Sequence, residues 1–110
     1  MSLYGQYINE TLGKHIVEDE NGYATYYIIP GTKVCYIEDI YVVPEMRQSK
    51  QATRYEQQII EWAKANECGE LLGSVNTKIS TPERSFLMLL HSGYKFSHID
   101  GITVYFIKEI

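Results

Sequence analysis

The strongest constraint on this chain is the order of patterns between residues 33 and 76: a long alternating stretch, a polar loop, an amphipathic stretch and a short apolar run. Residues 33–43 predict a strand in which Tyr36, Glu38, Ile40 and Val42 share one face and Cys35, Ile37, Asp39 and Tyr41 share the other, with Pro44 ending it. Ala52, Tyr55, Ile59, Trp62 and Ala63 then recur at three- and four-residue spacing, which predicts a helix over 50–66 with Gly69 as its stop. Residues 71–76 read as the next strand. Two strands joined by one helix pair in parallel through a right-handed crossover, because a right-twisted strand feeding a right-handed helix packs back onto the sheet only that way.

The flanking segments predict antiparallel hairpins, so the sheet is expected to be mixed. Residues 15–19 and 23–29 surround Glu20-Asn21-Gly22, an Asn-Gly hairpin signal, and Pro30-Gly31 turns the chain again. Residues 1–12 are weakly patterned and fit a short helix, an edge strand or a loosely docked arm. Ser80-Thr81-Pro82-Glu83 combines N-cap candidates, an early proline and a Ser-x-x-Glu capping box, so a second helix is expected there, stopping at Gly93. Residues 94–99 and 102–107 close the chain as a hairpin about Asp100-Gly101. No repeat or linker interrupts this order, and 110 residues suit one core, so the expectation is a single α/β (α+β) domain over 1–110 with two principal helices.

Charge and composition narrow the function classes. Ten Lys and Arg against fourteen Asp and Glu give a net charge of −4, which argues against general phosphate-backbone binding and hence against nucleic acid as partner. No apolar run is long enough to span a bilayer and the N-terminus lacks the order of a signal peptide, so the expectation is a cytoplasmic protein with no membrane partner. Cys35 and Cys68 stand alone without a CxxC partner, and His15, His91 and His98 are scattered without ligand spacing, so no metal site is expected. Ten tyrosines fit half-buried strands or an aromatic binding surface.

The chemistry concentrates in residues 36–53. A strand running into a polar loop that opens a helix suits an anion, because the first free amides of the helix point at the loop and the dipole favours negative charge there. Strand-loop-helix junctions are also common as plain crossovers, so the pattern alone leaves both readings open. Ile40-Tyr41-Val42, then Pro44, then Arg47-Gln48-Ser49-Lys50-Gln51-Ala52 resembles the signature of the GCN5-related N-acetyltransferase (GNAT) superfamily, a strand and proline followed by Arg/Gln-x-x-Gly-x-Gly/Ala. The Glu38-Asp39 pair is similar to the corresponding strand of polyamine acetyltransferases, and the stretch from Phe86 to Gly93-Tyr94 resembles the later helix of the family.

The resemblance implies an acyl-CoA N-acyltransferase-like fold, truncated at its N-terminus, with acetyl-CoA as co-substrate. Its pantetheine arm would run along Ile40, Tyr41, Val42 and Val43, and its pyrophosphate would meet Arg47, Gln48, Ser49, Lys50, Gln51, Ala52 and Thr53. The activity implied is transfer of an acetyl group to the primary amine of a small molecule or a protein. Glu38 is the candidate general base, the alternative being a solvated strand carboxylate. Lys50 stands where the family has glycine, Leu89 where its tyrosine acid often falls, and Pro82 where an asparagine is expected. A silent module that keeps the fold to bind CoA or a protein is the alternative function, and a structural protein without a CoA site is a third. The reduced N-terminal part and the tyrosine-rich strands point to a homodimer.

Overall fold

A computed structural model describes residues 2–79 and 82–110. The chain runs α1 (Leu3–Leu12), β1 (His15–Asp19), β2 (Gly22–Ile28), β3 (Val34–Val42), a 3-10 turn (Pro44–Met46), α2 (Gln51–Ala65), β4 (Glu70–Asn76), α3 (Pro82–His91), β5 (Lys95–Asp100) and β6 (Thr103–Glu109). One sheet takes the order β1-β2-β3-β4-β6-β5, and β3 pairs with β4 in parallel while the other neighbours pair antiparallel. The expected mixed sheet and its helical crossover are therefore present. The undecided N-terminal stretch is a helix: the Ser2 hydroxyl accepts from the Gly5 amide at 3.0 Å, and Gly13 closes it at φ 67, a conformation glycine adopts freely. The Ser80-Thr81 part of the expected capping box lies outside the described residues.

The core lies between the sheet and α2. Tyr55, Ile59 and Ala63, one face of that helix, are fully buried with Ala24, Cys35 and Leu71 of the strands. Burial of a large apolar side chain is worth about 1.5–3 kcal/mol each, so this face fixes α2 on the sheet. Tyr26, Tyr55 and Tyr94 pack in this core. Tyr23–Tyr41, Tyr27–Tyr36 and Tyr36–Tyr105 form aromatic neighbours with centroids 5.9, 5.6 and 6.2 Å apart. Both thiols are free and buried, and burial pushes that of Cys35 up to about 12, which leaves it unreactive.

Two irregularities shape β3. Tyr26 stands opposite Ile37 but Thr25 stands opposite Asp39, so Glu38 is the extra residue of a β-bulge. The bulge overturns the simple alternation: Cys35, Ile37, Ile40 and Val42 pair with Ile28, Tyr26, Ala24 and Gly22 and share the α2 face, whereas Tyr36, Asp39 and Tyr41 share the other. Glu38 therefore does not share a face with Ile40 and Val42. In addition, β3 and β4 pair only at Val34–Glu70, Cys35–Leu71 and Tyr36–Leu72, although they continue to Val42 and Asn76.

Candidate functional site

The divergence of β3 from β4 opens a cavity of about 550 Å³ whose walls include Glu38, Ile40, Ala52, Gly73, Ser74 and Leu89. A second space of about 790 Å³ adjoins it, walled by Tyr41, Val42, Arg47, Gln48, Lys50 and Gln51, and the two share Ile40, Ala52, Thr53, Ser85 and Met88. One cleft thus runs from the splayed strands to the start of α2. The Val43 amide donates to the Asn21 carbonyl at 2.8 Å, so the alternation of antiparallel pairing turns the amides and carbonyls of Ile40 and Val42 away from β2, toward the gap left by β4. The Val42 carbonyl accepts from Arg47 Nε at 2.9 Å, and the guanidinium lies 5.8 Å from the Tyr41 ring centre.

The loop into α2 keeps a glycine-like path without glycine. Gln48 and Lys50 both take left-handed conformations, at φ 68 and φ 66, and the Ser49 hydroxyl donates to the Met46 carbonyl. No side chain caps α2, and the Arg54 amide, donating to the Lys50 carbonyl at 3.1 Å, is the first to enter the helical pattern. The amides of Gln51, Ala52 and Thr53 therefore remain at the positive end of the helix dipole. Gln51 as a whole is 4% exposed, and its side-chain amide donates to Asp19 at 2.8 Å, which ties the start of α2 to the end of β1. An open strand edge leading to uncapped helix amides fits an extended thioester carrier with a pyrophosphate. Lys50 is exposed at the junction and adds positive charge to it.

Glu38 lines the cavity at the bulge, and both of its oxygens are bound by Lys14 Nζ, at 2.9 and 2.7 Å. That hydrogen bond raises the Lys14 pKa above its ordinary value, against the opposing effect of desolvation. Lys14 carries no signal in the sequence, because 24 residues separate it from Glu38. A second group missed from sequence is Glu56, on the cavity wall, which accepts from the Tyr94 hydroxyl at 2.9 Å and from Lys108 Nζ at 3.3 Å. Leu89 also lines the cavity and offers no proton. His15 packs on Tyr26 and Trp62, His98 stacks on Tyr105 at 4.5 Å, and burial lowers the pKa of His15. Among the described residues no three His, Cys, Asp or Glu side chains form a metal-ligand group, and no helix is long and apolar enough to cross a membrane.

Comparison with known proteins places this geometry. The sequence pattern of the Acetyltransferase (GNAT) family matches residues 6–88. The PaiA N-acetyltransferase from Thermoplasma acidophilum, solved in complex with coenzyme A, superposes with a TM-score of 0.71 at 18% identity, covering 82% of this chain and 54% of that one. This chain thus spans about half the length of that relative. A protein from Desulfovibrio desulfuricans described as belonging to the GNAT family gives a TM-score of 0.78 at 15% identity, covering 94% and 77% of the two chains. The IAA acetyltransferase from Bacillus cereus gives 0.68 at 11% identity, covering 88% and 77%. No curated protein sequence matches the chain at a significant level.

Proposed function

The chain belongs to the acetyltransferase (GNAT) family, and on that premise we propose that it moves an acetyl group from acetyl-CoA to a primary amine. The observation that carries this reading is the continuous cleft from the Glu38 bulge to the uncapped start of α2. In it the amides of Gln51, Ala52 and Thr53, with Lys50 and Arg47 beside them, bind the pyrophosphate, and Gln48 and Ser49 shape the turn that presents them. Ile40, Tyr41, Val42 and Val43 hold the pantetheine arm as an added strand, for which Arg47 must release the Val42 carbonyl. The Ile40 amide points into the gap and polarises the thioester carbonyl.

Glu38 takes the proton of the attacking amine, directly or through water. Its carboxylate, together with Asp39 on the neighbouring position, favours a cationic acceptor, in keeping with a polyamine-type enzyme, and the acceptor is a small-molecule or protein amine. The setting is the cytoplasm. A homodimer is formed through the edge strand β5, whose residues are all exposed, with Phe96 at 57% and Ile99 at 62%.

Leu89 favours a second reading, a module that binds CoA without turnover, because it leaves the leaving thiolate without the usual side-chain acid. Calorimetric titration with acetyl-CoA and CoA, followed by thiol release with an amine panel, separates the two. The expected result is saturable binding and amine-dependent thiol release, with Glu38→Gln keeping binding and losing at least ~100-fold in turnover. Binding without release in the wild type supports the silent module, and no binding of either ligand removes both.

A further inference from the structure

One lysine of the chain already stands at the candidate base. Gly13 ends α1 with its amide on the Asn9 carbonyl at 3.2 Å, the Lys14 amide reaches the Ile8 carbonyl at 3.1 Å, and Asn9 Nδ2 donates back to the Lys14 carbonyl at 3.1 Å. Three hydrogen bonds therefore fix where the Lys14 side chain starts. Its Nζ ends 5.6 Å from the Tyr27 ring centre and within 2.9 Å of both Glu38 oxygens, on a carboxylate that forms part of the cavity wall. By contrast Lys33, whose side chain is 70% exposed, pairs with Glu67 through one oxygen at 3.1 Å.

We propose that Lys14 is a self-acetylation site, an internal acceptor whose Nζ takes an acetyl group from an acetyl-CoA thioester held in the adjoining cleft. The proposal rests on the acetyltransferase reading and adds an acceptor to it. The Lys14 ammonium passes one proton to a Glu38 oxygen, and the freed nitrogen lone pair attacks the thioester carbonyl carbon. The C–N bond forms and the C–S bond breaks, a second nitrogen proton goes to the departing sulfur, and Glu38 returns its proton to water. The products are acetylated Lys14 and free CoA thiol, with no change of oxidation state. Holding an amine beside its base saves the entropy of bringing a separate acceptor to the site, so one lysine is selected over others that are more exposed. Loss of the Lys14 charge then releases Glu38 for an external amine.

The test is peptide mass mapping of the whole protein after incubation with acetyl-CoA, at two protein concentrations. Acetyl should accumulate on Lys14 at least ~10-fold ahead of Lys33, at a rate independent of protein dilution, and should be lost in Glu38→Gln. Lys14→Arg should show no compensating site. Without acetyl-CoA, brief acetic anhydride treatment reports the ion pair alone, and should label Lys33 ahead of Lys14 in the wild type and erode that order in Glu38→Gln. Acetyl spread in proportion to exposure, or a rate that scales with protein concentration, overturns the proposal. Acetyl-CoA binding and transfer to free amines with Lys14 unmodified removes self-acetylation and leaves the family reading standing, whereas no acetyl-CoA binding overturns both.

Discussion

The Tyr94 hydroxyl donates to the Glu56 carboxylate at 2.9 Å, joining the segment between α3 and β5 to the middle of α2 beneath the cleft. Tyr94 is 3% exposed, and desolvation first, then the Glu56 charge, push its pKa up, so it stays a protonated donor across the workable range. Tyr94→Phe leaves the carboxylate with Lys108 Nζ at 3.3 Å as its remaining partner. The expected loss is about 1–3 kcal/mol, read as a lower urea midpoint at unchanged slope. An unaltered midpoint would mean that water replaces the hydroxyl without cost.

Asp19 anchors the start of α2 to β1. Its oxygens accept from the Tyr55 hydroxyl at 2.6 Å, the Asn21 amide at 2.8 Å and Gln51 Nε2 at 2.8 Å. These hydrogen bonds, that of Tyr55 foremost, hold the carboxyl below its usual pKa. A carboxyl depressed in the folded state contributes stability that is full above its unfolded pKa and is lost as pH falls through the lowered one. Asp19→Asn should therefore be less stable near neutrality and should lose less stability than the wild type as pH falls from about 5 to about 2. Parallel acid limbs in urea titrations would remove Asp19 from the account.

The crossover from β3 through α2 to β4 was legible because its periods are local: two for the strands and 3.6 for the helix, with Pro44 and Gly69 as punctuation. Helix α1 was not, since only Gly5 and Ile8 are buried along it and its ends depend on Ser2 and Gly13 rather than on periodicity. The bulge at Glu38 was also hidden. It is a property of how β2 meets β3, and neither strand alone departs from alternation, so Asp39 and Tyr41 were grouped with Cys35 and Ile37 when they lie on the opposite face, with Tyr36. The walls of the candidate cleft were legible where backbone conformation makes them, in residues 40–53, and opaque where they depend on distant side chains such as Lys14 and Glu56. Motif spacing encodes a loop path, whereas contacts 24 or more residues apart follow from packing.

Lys50 sits at φ 66 and ψ 19, the left-handed conformation that glycine adopts freely and other residues pay strain to hold. Lys50→Gly should relieve more strain than it adds in unfolded-chain entropy, for a net gain of roughly 0.5–1 kcal/mol in urea unfolding. For acetyl-CoA the same change removes an exposed ammonium worth on the order of 1 kcal/mol or less and lets a phosphate approach the Gln51 and Ala52 amides more closely. These effects oppose one another, so affinity measured by calorimetry should shift by less than about tenfold in either direction. Gln48→Gly, at φ 68 in the same loop, is the matched control for strain without loss of charge. Saturable binding confined to the Lys50→Gly variant would show that the Lys50 side chain closes the phosphate site, and a loss of stability in that variant would show that the lysine makes a contact that outweighs its strain.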